Sequence, residues 1–311
     1  MKVQKIGLFG MRSFGKTHTL QNIVNSVNEK RHGYRRDQTP KIKAKDKETR
    51  DRIINHHKVR YKNTSDATEW RFEVDWSGVD DPMLLDGYSE ADNRFDVHIL
   101  DVPGELFKHL YQMSANDGTV SNPLVENEVV TKFGEWTNEI SGIVIVLRGP
   151  SWFEDNAGLI LLNATEYVLK HIAQAGNVKR IVVAFSMFEL FLLNYGGTAI
   201  DLACRDNSVK KIMKTHFEES KEILRHFRDT AEDEDIEIWF TVFSSFGFVP
   251  GIGCPNVKID ENAMLHMTEN TTEPITDRIY YPYLVADPFL FAATGYRTPF
   301  LFRFDDIFET R

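Results

Sequence analysis

Cysteine is nearly missing from this chain: Cys204 and Cys254 are the only two in 311 residues. Two distant cysteines build neither a disulfide framework nor a zinc site of their own, so both are expected as free thiols in a reducing compartment. Long apolar runs are missing too. No stretch approaches the ~20 residues that cross a bilayer, and the first ten residues lack the length and cleavage signal of a secretory leader. A cytoplasmic location with no membrane partner is the expectation. Positive charge is in deficit: 37 Lys and Arg against 46 Asp and Glu leave a net charge of −9. Such a surface repels nucleic-acid backbones and anionic lipid, so neither is an expected partner. No internal repeat or low-complexity tract is present, and a chain 42% hydrophobic and 27% charged is not disordered in bulk. The sequence carries no mark of oligomeric state.

What is present is an alternation of strand-like and helix-like segments, which favours an α/β fold with a mainly parallel sheet. Val3 to Phe9 is a short apolar run ending at Gly10, and Leu20, Ile23, Val24 and Val27 then follow at helical spacing. Trp70, Phe72, Val74 and Trp76 alternate with charged residues, as in an antiparallel or edge strand with one wet face. Apolar strands are expected at Phe95 to Leu100, Gly142 to Leu147, Ile181 to Phe185 and Ile236 to Phe243. Helical patterns run after Gly104, near Val125 to Trp136, over Gly158 to Ile172, and as one long amphipathic helix from Val209 to Phe227. Residues 29–68 are polar, rich in Lys and Arg, and read as a long loop. Residues 77–93 read as an acidic loop. Residues 249–278 look irregular, and the aromatic tail from Tyr280 to Phe308 reads as packed, with a final helix around Pro288 to Ala293. One domain over 1–311 is expected.

The strongest motif is Gly10-Met11-Arg12-Ser13-Phe14-Gly15-Lys16-Thr17, which fits G-x-x-x-x-G-K-[ST] between a strand and a helix. Its glycines permit backbone angles that a side chain forbids. The loop can then turn its N–H groups inward as a nest for phosphate oxygens, at the positive end of the following helix. Lys16 is a mobile point charge for the β- and γ-phosphates. Thr17 offers a hydroxyl to Mg²⁺, which keeps few protein ligands and several waters.

The second motif is Asp101-Val102-Pro103-Gly104-Glu105, at the end of an apolar strand. Ligands of open parallel sheets sit at the carboxyl ends of the strands. Asp101 is therefore expected beside the phosphate loop as a ligand to Mg²⁺, direct or through water, and Gly104 as an N–H donor to a terminal phosphate.

Together these residues resemble the TRAFAC class of P-loop GTPases in the Ras-like arrangement, and among them the bacterial double-GTPase-like domains of conflict and defence operons. The resemblance covers about residues 3–248. It implies a P-loop NTPase fold of three α/β/α layers, with a six-stranded sheet, mainly parallel, and one antiparallel edge strand. It implies a switch that binds GTP or GDP with Mg²⁺, an antiviral-defence context, and a protein partner that reads two loops. The first switch would be the 29–68 insertion, whose Thr64 or Thr68, with Thr39 less well placed, would reach Mg²⁺. The second would run from Pro103 to about Ser114. Gly10, Ser13, Phe14, Gly15, Lys16, Thr17 and His18 would surround the phosphates, with Lys16 and Gly104 acting on the transferred group. The family's base motif falls on Ser186-Met187-Phe188-Glu189, with Glu189 accepting the N–H donors of guanine, and its next motif on Ser244-Ser245-Phe246.

The chain departs from that pattern in places. Glu105 stands where the family has a Gln that orients water; it either accepts a proton from that water or simply complements the helix dipole. Slow or partner-dependent hydrolysis is the expectation. The base motif lacks its Asn and Lys, so a strand end entering a helix is the stronger reading of Ser186 to Glu189. A nucleotide-gated module without hydrolysis, and an ATP-binding P-loop protein, remain alternatives. Arg148 ends a strand at the same sheet edge, where it is either a surface residue or an arginine finger in cis. His56 and His57 are adjacent and lack metal-ligand spacing. The basic run from Lys30 to Lys47 is a solvated face or a contact for an acidic partner, phosphate or RNA.

Overall fold

A computed structural model describes residues 2–11, 14–28, 40–54, 67–76, 94–115, 123–149, 156–173, 177–259, 272–273 and 281–309. The chain begins with β1 (Lys2–Gly10) and α1 (Lys16–Asn28), then β2 (Lys41–Ala44), α2 (Lys47–Ile54), β3 (Thr68–Asp75) and β4 (Arg94–Asp101). It continues through α3 (Gly104–Ala115), α4 (Pro123–Glu139), β5 (Gly142–Arg148), α5 (Ala157–Tyr167) with a wider turn over Val168–Ile172, and β6 (Arg180–Ser186). A 3-10 segment (Phe188–Thr198) leads to α6 (Ala199–Ala203), α7 (Asp206–Phe217), α8 (Lys221–Asp233) and β7 (Glu237–Val242). Last come β8 (Ser244–Phe248), β9 (Lys258–Ile259), β10 (Thr272–Glu273), β11 (Tyr281–Tyr283), α9 (Asp287–Thr294) and α10 (Phe304–Phe308).

The main sheet has seven strands in the order β2-β3-β4-β1-β5-β6-β7. β3 runs antiparallel to both its neighbours, and β4, β1, β5, β6 and β7 are mutually parallel. This is the P-loop α/β/α fold. The strand sequences explain the order. Every residue of β5 is buried, as in a strand covered on both faces. β3 buries Trp70, Phe72 and Val74 and leaves Arg71 exposed, so it lies toward the rim.

Alternate residues of β1 face different layers. Phe9 meets Phe107 of α3 and Phe133 of α4, with ring centroids 5.1 and 6.0 Å away. On the other face α9 packs across β1, β5 and β6. There Gly142 lies against the helix backbone: a methyl group on Gly142 would sit 2.2 Å from the Ala292 carbonyl oxygen. Helix and sheet approach this closely only because the side chain is absent.

Four sequence expectations change. The sheet contains the six expected strands and a seventh, β2, which lies outside β3 at the edge. β2 and α2 both fall in the segment read as a loop; residues 29–39 and 55–66 of that segment, with His56, His57 and Thr64, lie outside the described residues, as do 77–93. The single helix expected from Val209 to Phe227 breaks at a tight turn, Glu218–Ser220. Along one straight helix Phe217 and Phe227 would point about 80° apart. The break lets both bury, with Phe217 stacked 4.0 Å from Phe185. Finally, the segment read as irregular, residues 249–278, holds the paired short strands β9 and β10, while the helix expected around Pro288 to Ala293 is present as α9. α9 begins with Pro288 in its first turn, is buried along its whole length, and ends at Gly295 with φ 79°; Phe302 bridges to Phe240 of β7.

Gly142→Ala is expected to destabilise the chain by on the order of 3 kcal/mol, because backbone cannot yield as a side chain can. The guanidinium midpoint measures this. An unchanged midpoint would contradict the seating of α9.

Candidate functional site

The loop after β1 is anchored by its own lysine. Lys16 is buried, and its Nζ donates to the Gly10 carbonyl at 2.5 Å and to that of Met11 at 3.5 Å. Gly15 has φ 84° and open space around it, a conformation that glycine adopts without strain. A methyl on Gly10 would lie 2.9 Å from Lys16 Cδ, so glycine is needed there to seat the lysine stem. The Phe14 ring is buried in the core, and the Phe14 N–H donates to Met11 O at 3.4 Å. Thr17 and His18 are half-buried in the first turn of α1. Ser13 lies outside the described residues.

The tip of β4 lies beside this loop. Asp101 pairs in register with Leu8 of β1 and, across β3, with Thr68. It is buried, and its Oδ1 has no hydrogen-bond partner among the described residues. Burial raises its pKa to about 6, opposed by the positive charges of Lys16 and Arg52. Burial lowers the pKa of Lys16, and Asp101 opposes that shift. Two opposite charges are thus withdrawn from water near each other. A buried carboxylate oxygen without a donor, beside the loop that leads into Thr17, suits a hard cation that needs few protein ligands. Among the described residues no group of three or more His, Cys, Asp or Glu could hold a metal. Gly104 is buried at the first turn of α3. Glu105 points outward and pairs with Lys108 at 3.2 Å; the structure does not bring its carboxylate to Lys16 and Asp101.

The third component lies past β6. Ser186 is buried, and its hydroxyl donates to Leu147 O at 3.1 Å, so it serves the strand end. Met187 turns the chain in the left-handed region, φ 59°, and Phe188 N–H bonds Phe243 O across from β7. This turn buries Glu189 to 1% exposure. Desolvation raises the Glu189 pKa to about 7, against the hydroxyl of Ser244 and a backbone N–H, which favour the ionised form. Its Oε2 has no partner among the described residues. Ser244 in turn accepts the Gly247 N–H at 2.6 Å. The two corners touch. Thr19 Oγ1 donates to Gly15 O at 2.8 Å and lies 3.3 Å from Ser245 Oγ, while the rings of His18 and Phe246 meet at 5.4 Å.

Arg148 is buried at the end of β5, in register with Ser186. Two residues at this site were not singled out in the sequence. Thr19 links the corners; its spacing four residues from Gly15 on a helix was the available signal. Arg52, on α2, donates to Glu69 O at 2.8 Å, lies over the Trp70 ring and is one of the charges that act on Asp101. Its helix was hidden in a polar segment.

No family model and no curated protein matches the sequence. Solved structures do. The chain is similar to the signal recognition particle receptor SRb-GTP/SRX complex from Chaetomium thermophilum, at 12% identity and TM-score 0.42, over 81% of this chain and 94% of that one. It is also similar to a septin GTPase domain from Chlamydomonas reinhardtii, at 11% identity and TM-score 0.36, over 93% and 90%. The G domain of the T. maritima FeoB iron transporter follows at 13% and TM-score 0.27, over 78% and 88%. Likeness this distant says nothing about activity, so function is argued from this chain's own residues.

Glu189 holds a proton in the folded chain that the unfolded chain has already released between its ordinary pKa of 4.5 and about 7. Folding stability is therefore lost as pH rises through that window, by up to about 3 kcal/mol from this residue. Urea midpoints of wild type and Glu189→Gln across pH 5 to 8 are expected to diverge, with the flatter profile in the variant.

Proposed function

We propose that the chain is a guanine-nucleotide-binding switch that takes GTP or GDP with Mg²⁺ and hydrolyses GTP slowly, or only with a protein partner. The supporting observation is the Lys16–Asp101 corner: a buried ammonium folded on the loop's own carbonyl oxygens, beside an incompletely bonded carboxylate. Neither charge is well satisfied, and a buried polar group without a partner is costly. Phosphate oxygens would draw Lys16 off Gly10 and Met11, while Gly104 donates its N–H to the terminal phosphate. Thr17 and Asp101 would hold Mg²⁺, with Thr64 or Thr68 added from the preceding segment; Thr68 already stands opposite Asp101. The metal, when bound, neutralises charge on the β- and γ-phosphate oxygens. In hydrolysis water adds to the γ-phosphorus, the bond to the bridging oxygen breaks, and GDP and phosphate leave. Glu189 would accept the N1–H and the 2-amino N–H of guanine, with Ser186, Ser244 and Ser245 framing the base corner. Residues 1–311 act as one unit in this reading, with a partner sensing the segments near 29–68 and 103–114.

A second reading, a nucleotide-gated binding module with little hydrolysis, is favoured by one observation: Glu105 is turned outward onto Lys108. Release of phosphate over many turnovers separates the two. Under the first reading Glu105→Gln changes that rate; under the second both proteins release none.

Lys16→Ala is expected to weaken nucleotide binding by on the order of 100-fold, the value of a lost charged hydrogen bond. Calorimetry with GTP, GDP and ATP, with and without Mg²⁺, tests it. Unchanged affinity in the variant sinks the nucleotide reading. Asp101→Asn is expected to retain nucleotide and lose the Mg²⁺-dependent gain.

A further inference from the structure

Glu189 is buried, and among the described residues no positive charge is a cause of its shift. Among the described residues, the elements around it carry Asp201 of α6, which is exposed, Asp206, Lys210, Lys211, Lys214 and His216 of α7, the last with its ring 4.5 Å from Phe191, and Tyr283 of β11, stacked 5.7 Å from Phe188. Arg148 of β5 lies in register with Ser186, and His18 of α1 lies against Phe246. Among the described residues, the groups that favour the ionised Glu189 carboxyl are the Ser244 hydroxyl and a backbone N–H. Partial desolvation lowers the pKa of His216 from its usual value. Tyr283 gives its hydroxyl to Ala203 O.

A carboxyl in this position can face a purine in two forms. As a carboxylate it is acceptor-only; as an acid it offers one O–H donor beside an acceptor. Guanine presents N1–H and a 2-amino N–H, two donors. Adenine presents a lone pair at N1 and no donor at position 2. We propose that Glu189 is a proton-linked specificity residue: its carboxyl releases a proton to accept guanine and keeps that proton to donate to adenine, so preference for guanine over adenine nucleotides rises with pH. The inference rests on the nucleotide-binding reading and adds a condition to it. When guanine enters, the carboxyl O–H bond breaks and the proton passes to buffer. The two guanine N–H groups then replace the missing donors at a carboxylate that the empty site leaves nearly bare. Ser186 is spent on Leu147 O and gives the carboxyl no donor.

The test is calorimetry of GDP and ADP at pH 6, 7 and 8, in buffers of different ionisation enthalpy. The two nucleotides share their phosphate titration, so the ratio of their affinities cancels it. With the carboxyl titrating near pH 7, GDP affinity relative to ADP is expected to rise by about 100-fold from pH 6 to pH 8. GDP is expected to release more protons on binding than ADP does, by up to one. Glu189→Gln keeps a donor and an acceptor at every pH; its ratio is expected to be flat, with GDP weakened at pH 8 and a cooperative urea transition as evidence of folding. Ser244→Ala removes a donor to the carboxylate and is expected to move the midpoint of the ratio to higher pH. A flat ratio in the wild type, or an equal slope in Glu189→Gln, overturns the proposal while Lys16-dependent binding of both nucleotides keeps the wider reading intact. A wild-type chain that binds neither nucleotide overturns both.

Discussion

The structure of the site depends on a lysine that has no water to face. Lys16 is carried inside by the first turn of α1, and the only oxygens it reaches among the described residues are those of the loop that precedes it. Gly10 must be glycine to make room for the stem, and Gly15 is free to turn because nothing crowds it. Asp101 sits close enough to feel that charge, yet burial still pushes its proton affinity up. The loop therefore holds two opposite charges withdrawn from water, with the Asp101 Oδ1 left without a hydrogen-bond partner among the described residues.

Short motifs with a fixed backbone geometry were readable in the sequence. Gly10 to Thr17 and Asp101 to Glu105 needed only a strand before and a helix after, and both received them. The alternation of Trp70, Phe72, Val74 and Trp76 gave β3 its place because one face of that strand stays wet. β2 and α2 were unreadable for the opposite reason. Within β2 only Ile42 is buried, and within α2 only Thr49, so neither carries an apolar period. Their stability comes from neighbours: Lys45 pairs with Asp96, Arg52 with Glu48, and Thr49 Oγ1 accepts the Arg71 N–H.

The corner after β6 shows how far local pattern goes. Ser186 to Glu189 read more readily as a strand end entering a helix than as a base motif. What distinguishes Glu189 is a partner 55 positions later, Ser244, delivered by the crossover through α7 and α8 to β7. The same crossover brings Ser245 to Thr19, so two remote parts of the sequence meet at one hydroxyl contact. Pairings of this kind are tertiary, and no window of neighbouring residues contains them.

The bare α-carbon of Gly142, pressed under the Ala292 carbonyl, has a practical corollary. The recognisable motifs end near residue 248, yet the wall that shields the middle strands comes from Asp287–Thr294. A fragment cut where the motifs stop would lose that cover and leave a slab of aliphatic side chains open to solvent. The smallest piece able to keep its shape includes the aromatic tail, which belongs to the foundation of the molecule and is no appendage.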